Sequence, residues 1–345
     1  MSLNKFGLDS LSQYFHVYFG KRGVVFCRSL SAITIAMMHS CSVSTGAIAT
    51  SMSAISGKSF SCCDKHIRYF LSNVKFQVDD QLWRCYLKYI FSFLKEGGYI
   101  DKSRKIYIQV DYTSVSNHFL ILYASIAFRN KAVPIYFSMR RYPKSKNIFN
   151  QIKTEQAFVK GLKHCLSSKY QYVIAADRGF GNSRFITLCE QNNFEYIVRI
   201  KSDLNINHRS KTNLKSLTNN KSLKDIYVNA WAKKTNIFIR KKNESIWYIC
   251  SNISILDRKR IIKEYERRFK IEKCFFDQKS NGFDIEKSKI RKYENLKRLI
   301  FTMLVSQSML MFTGDILKHN NHNIKKDFPQ SVSLILAFSS LLKDT

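Results

Sequence analysis

The sequence predicts an α/β protein: a mixed sheet with helices packed on its faces, preceded by a helical region and carrying a β-rich insertion. Three observations lead there. Residues 1 to about 100 read as helical. From Lys105 the order of runs is strand–strand–strand–helix–strand–helix–strand. After about Asp257 two long helical stretches follow.

In the first region, Ser29–Gly57 has small apolar residues suited to tight helix packing. Cys63–Leu71 places apolar residues at 67, 70 and 71 with basic residues between them. That pattern fits a helix-turn-helix with a basic reading helix and equally fits an ordinary amphipathic helix. The runs IYIQVD, HFLILYASIAF and AVPIYFSM read as three adjacent antiparallel strands. Ile152–Leu166 has helical periodicity, and YQYVIAAD is an apolar run ending in an acid, the pattern of a buried central strand. A helix over Asn182–Asn193 and the strand FEYIVRIK complete the first part of the core. Lys201 to about Asn220 is polar and reads as a loop. DIYVNAWA, NIFIRKK and SIWYICSN then form a β-rich insert, with KKNES as a hairpin turn. One continuous helix is expected from about Asp257 to beyond Lys279, and another over about Lys292–Leu317. A polar tail after Lys318 ends in a short apolar helix around Leu334–Leu342. The expected divisions are 1–100, 101–200, 201–255, 256–318 and 319–345.

Composition narrows the function. A hydrophobic fraction of 45% and an aromatic fraction of 14% exclude disorder. The net charge of +32, from 57 Lys+Arg against 25 Asp+Glu, attracts polyanions, nucleic acid foremost. The nine cysteines are odd in number and form no C-x-x-C, so neither a disulfide framework nor a zinc site is indicated, and free thiols fit a reducing cytoplasm. The N-terminus MSLNKFGLDSLSQYF lacks the basic-then-apolar pattern of a leader. Ser29–Gly57 is uncharged but rich in Ser and Thr, and Leu299–Phe312 is short; a spanning helix needs about 20 mainly apolar residues. Both are expected as buried helices, with no membrane partner.

The chemistry concentrates in YERRFKIEKCFFDQK. Tyr265, Arg268, Glu272 and Lys279 are spaced by 3, 4 and 7 residues. At roughly 100° per residue they fall in one stripe of a helix. That stripe carries a phenol, a guanidinium, a carboxylate and an ammonium, which suits a metal ion beside a phosphate. Asp111 is expected to end the first core strand, in VDYTS, and Asp177 the later one, in AADRGFGN. In a sheet of this order both strand ends can lie side by side, with Glu272 as a third carboxylate. Three clustered carboxylates repel unless a cation sits among them, and hard oxygen ligands select Mg²⁺ or Mn²⁺. Each residue also has a plainer reading: a strand-end Asp is often a turn former or helix cap, and Glu272 among Lys and Arg is often a solvated salt-bridge face.

Together these residues resemble a cut-and-paste DDE transposase of the bacterial insertion-sequence class (the IS-four type) marked by a Y-R-E-K helix. The resemblance covers roughly Lys105–Leu317. It implies an RNase H-like core, a β-rich insert before the catalytic glutamate, and two Mg²⁺ or Mn²⁺ ions. It implies that Asp111, Asp177 and Glu272 are the catalytic, metal-binding triad. Tyr265, Arg268 and Lys279 would hold phosphates at the cut DNA end. Trp247, on the strand before the helix, would stack on a flipped base, as some members require; a core tryptophan is the alternative, and Trp231 is a weaker candidate. The implied partners are double-stranded DNA, as terminal inverted repeats and as target, and a second copy of the chain in a homodimer. Two other readings share part of this pattern: another RNase H-like nuclease that does not join strands, and a catalytically silent DNA-binding remnant or inhibitor of transposition.

Overall fold

The structure, a computed structural model, describes residues 3–100, 105–142, 151–207, 212–242, 244–280 and 282–320. Two compact units are formed, one by residues 1–97 with 275–345 and the other by residues 98–274. The helix expected around Leu334–Leu342 lies outside the described residues.

The second unit is built on one sheet. β1 (Lys105–Val115), β2 (Phe119–Phe128) and β3 (Lys131–Arg141) form an antiparallel meander, with left-handed backbone at Ser116 and Asn117 turning β1 into β2. β4 (Gln171–Ala176) pairs parallel with β1, and β5 (Glu195–Ile200) parallel with β4. Parallel neighbours need long crossovers. α6 (Gln151–Cys165) and α7 (Ser183–Gln191) supply them. From Tyr172 to Ala176 every β4 residue is buried, as a strand covered on both faces must be. The order β3-β2-β1-β4-β5 is the RNase H-like arrangement.

The β-rich segment does not form a separate layer. β10 (Ser245–Ser251) pairs antiparallel with β5, and β9 (Lys233–Lys242), β8 (Lys221–Val228), β6 (Asn205–Ile206) and β7 (Thr212–Asn213) continue outward, giving one ten-stranded sheet. β5 would otherwise be an exposed edge. Side chains reinforce the join: the Ser251 hydroxyl donates to the Tyr196 backbone carbonyl at 2.6 Å, and Asn252 Oδ1 accepts from the Tyr196 backbone amide at 3.0 Å. The stretch expected as a plain loop, 201–220, thus contributes two short strands.

The long helix expected from Asp257 is broken. α8 (Arg258–Arg268) ends at Phe269, and α9 (Lys270–Lys279) starts anew. The cause is on β1. Gln109, 2% exposed, donates its side-chain amide to the Arg267 carbonyl at 2.7 Å, a side chain inserted into the helix's own hydrogen-bond ladder. The Glu272 amide bonds instead to the Phe269 carbonyl, a tighter i→i−3 link, at 3.2 Å.

The first unit is helical: α1 (Leu3–Phe19), α2 (Val24–Ser40), α3 (Thr45–Ser56), α4 (Phe60–Ser72), α5 (Asp80–Glu96) and α10 (Tyr293–Asn320). Tyr293–Ile316 is long and apolar enough to cross a membrane, yet 83% of that window is buried within the protein. Phe301, fully buried, packs its ring against Phe19, Phe76, Trp83 and Tyr86. Arg298, buried within α10, donates to the carbonyls of Leu71 and Phe76. α2 and α3 meet at 104°, so the uncharged stretch is two packed helices.

Candidate active site

The parallel pairing of β1 with β4 sets the position of the two aspartates. Val110 lies opposite Ala176, the last matched pair of that ladder. One residue further on each chain are Asp111 and Asp177, so the register brings them side by side. Asp111 does not end its strand as expected. β1 continues to Val115, paired with β2, and Asp111 marks only the end of pairing with β4. Asp177 keeps extended backbone, then caps the turn Arg178–Phe180, its Oδ1 accepting from the Gly179 amide at 2.8 Å.

Two further contacts hold that turn. The Phe180 ring stacks on Tyr112, the residue after Asp111, with centroids 5.4 Å apart and planes 6° apart. At Gly181 a Cβ would come within 2.5 Å of the Arg199 carbonyl, so only glycine lets the turn lie this close to β5.

α8 packs across β1, β4 and β5 and delivers Arg268. Its guanidinium is 4% exposed and bridges two carboxylates: Nη1 to Asp111 Oδ2 and Nη2 to Glu272 Oε1, both at 3.2 Å. It also lies over the ring of Phe269, 4.4 Å from the centroid. Burial pushes the Asp111 carboxyl up to about 6; Asp177 and Glu272 push the same way, while Arg268 opposes them. Asp111 therefore feels both of the other acids, and Glu272 reaches it through the arginine. The Glu272 side chain is 55% exposed, open to an incoming ligand.

The other expected residues are placed differently. Tyr265 is fully buried in a cluster with Val173, Ile197, Phe238, Trp247 and Ile249, and burial raises its phenol. Trp247 is 8% exposed and meets Tyr265 edge-on at 5.3 Å. Tyr265 lies under the Arg268 guanidinium, 5.8 Å from its ring centroid, and Trp247 packs on Tyr265 and Phe269, where Tyr265 and Trp247 were expected to face DNA. Lys279 belongs to the first unit, where its ammonium pairs with Glu286 at 3.6 Å. Trp231 lies on a short turn after β8. Gln109 and Gly181 were not anticipated. A signal for Gln109 existed, since it is the one polar residue within the apolar run IYIQV.

The sequence profile of the transposase DDE domain family matches residues 137–309, half of the chain. The chain belongs to the DDE transposase family. Asp177 and Glu272 fall inside the matched span, and Asp111 precedes it. DDE transposases cleave DNA, transfer strands and use divalent metal ions. A solved structure of a piggyBac transposase synaptic complex with hairpin DNA is similar at a TM-score of 0.45 and 12% identity, covering 92% of this chain and 71% of that one. Comparison with curated protein sequences returned no match.

Among the described residues, no three acidic, His or Cys side chains converge closely enough to hold a metal ion between them. The donor chemistry nonetheless fits a divalent cation. All three groups are hard oxygen donors, burial and then repulsion from Asp177 and Glu272 raise Asp111, and a cationic guanidinium already sits where Asp111 and Glu272 meet.

Proposed function

We propose that this DDE transposase is a cut-and-paste enzyme of the bacterial insertion-sequence class whose active centre is Asp111, Asp177 and Glu272. The three carboxylates would hold two Mg²⁺ or Mn²⁺ ions, which supply charge neutralisation for attack of an oxygen nucleophile on a phosphodiester. The chain's own residues do the rest. The β1–β4 register sets Asp111 beside Asp177. Gln109 turns the helix so that Glu272 leaves it at the right height. Arg268 moves from its two carboxylates towards the phosphate of the cut end, where a planar guanidinium binds two oxygens at once. Tyr265 and Trp247 form the apolar floor that orients Arg268, and Lys279 binds the DNA backbone further along. The substrates would be the inverted repeats at the element's ends and a target duplex, handled by a homodimer in the cytoplasm.

The observation that supports this reading is the Arg268 bridge between Asp111 and Glu272, beside an aspartate that the register sets next to Asp111. The test is cleavage of duplex DNA from the gene's own flanks, with Mg²⁺ or Mn²⁺. Asp177→Ala and Glu272→Ala should each lower the rate on the order of 100-fold or more, at least the upper end of what loss of a group that merely supports a metal ligand costs. Cleavage retained in both variants would sink the assignment.

A further inference from the structure

The face of the core sheet away from α8 holds a buried acid that the chemistry above does not use. Side chains alternate along β1, so Gln109 and Asp111 face α8 while Tyr112 faces the other side. There the Tyr112 ring lies flat against Phe180, and the buried Phe180 leans in turn on Phe185 of α7, with centroids 4.8 Å apart. Phe180 closes the turn that Asp177 caps. Asp111 and Asp177 are therefore tied together twice, by the β1–β4 register and by a pair of rings on the next residue of one and the turn of the other. Ring stacking tolerates sliding and tilt, whereas a hydrogen bond to the ring's hydroxyl fixes its direction.

Glu155 supplies that partner. It lies on α6, the crossover helix packed on this face, and is 4% exposed. Gln151, one turn earlier, donates to its Oε1 at 2.6 Å. Burial raises the Glu155 carboxyl, and hydrogen bonding from Gln151 and then from Tyr112 opposes the rise. Beside it, Arg140 of β3 bonds to the Thr154 hydroxyl and holds α6 to the same face. A buried carboxyl is costly, and an apolar side chain of similar size serves packing as well or better. Packing therefore does not account for an acid at position 155. Its contact does, since Tyr112 is the side chain that links the strand of Asp111 to the turn of Asp177.

We propose that Glu155 and Tyr112 are positioning residues for the two aspartates: Glu155 holds the Tyr112 hydroxyl, the Tyr112 ring holds Phe180, and Phe180 keeps Asp177 at the separation from Asp111 that a shared divalent cation requires. This rests on the reading of Asp111 and Asp177 as metal ligands, and it adds what sets their spacing.

The test titrates the full chain with Mn²⁺ and follows the free ion by its electron paramagnetic resonance signal. Glu155→Leu and Tyr112→Phe should each raise the Mn²⁺ dissociation constant about 10-fold, the usual cost of losing a group that orients a ligand. The double variant should raise it no further, because both changes remove one and the same contact. It should also unfold in urea close to wild type, since the two buried polar partners are gone together. Glu155→Gln keeps an acceptor for the hydroxyl and should bind Mn²⁺ as wild type does. Phe158→Leu, which thins the packing of α6 on Tyr136, should leave the constant unchanged. If Glu155→Leu does not fold, Tyr112→Phe and Glu155→Gln carry the test. Wild-type Mn²⁺ binding by Tyr112→Phe overturns the proposal. So does a double variant weakened about 100-fold, which marks two independent effects. Equal weakening by Phe158→Leu overturns it as well, because general loosening of the core then explains the result. Asp177→Ala separates this proposal from the one it rests on. Lost binding in Asp177→Ala with unchanged binding in Tyr112→Phe removes only the positioning role, whereas wild-type binding by Asp177→Ala removes the metal assignment itself.

Discussion

Burial raises the Asp111 carboxyl to about 6, and the charges of Asp177 and Glu272 push in the same direction. A carboxyl whose folded pKa exceeds its unfolded value binds protons more tightly when folded. Its contribution to stability is fully present below the ordinary value of 3.8 and is lost as pH rises through 6. At neutral pH the ionised group therefore costs stability that the cation-binding site requires. Asp111→Asn should raise the metal-free unfolding midpoint at pH 7.5 by at least about 2 °C, and the gain over wild type should disappear near pH 4. A thermal scan at the two pH values checks this. Arg268 is the counter-ion that makes the ionised site tolerable. Arg268→Ala should destabilise the metal-free protein by about 3 kcal/mol, the usual cost of stranding a buried charge. Added Mg²⁺ should then stabilise this variant more than it stabilises wild type, since guanidinium and metal compete for the same oxygens. An equal Mg²⁺ shift in both proteins would argue against that competition.

Single hydrogen bonds shape the elements that carry these residues. The break between α8 and α9 follows from one amide on β1, itself held by the Ser125 hydroxyl at 3.1 Å. Gln109→Leu removes the donor to the Arg267 carbonyl. It should cost about 1–3 kcal/mol in urea unfolding and should lower cleavage, because Glu272 begins the turn after the break. Unchanged cleavage in a stably folded Gln109→Leu would show that the break does not position Glu272. The Asp177 turn depends similarly on Gly181, whose missing Cβ lets it rest against the β5 backbone. Helical and strand periodicity made α6, α7 and the five core strands legible from the residues alone. The break at Phe269 was not legible, because the hydrogen bond that causes it joins residues 158 positions apart. For the same reason the burial of Tyr265 and Trp247 could not be told from an exposed stripe: spacing shows which residues share a face, not what that face meets.

At the scale of the whole chain, a net charge of +32 governs encounter with DNA. Cations that neutralise phosphates release bound counterions, so affinity must fall steeply with salt. For about six or more phosphate contacts, binding to a non-specific duplex should weaken on the order of 10³-fold between 50 and 200 mM salt. Fluorescence anisotropy at several salt concentrations measures that slope, and a flat response would exclude a phosphate-dominated interface. By itself the sequence determined the polyanion-seeking charge, the order of elements in an RNase H-like core and the acidic residues suited to divalent metal, because composition and periodicity are local properties that survive without a fold. Only the tertiary structure decided that Asp111 lies beside Asp177 through the β1–β4 register. It also decided that the β-rich segment extends the core sheet and that Arg268 holds Asp111 and Glu272 together. Those facts depend on strand pairing and on contacts between distant residues, which no local pattern encodes.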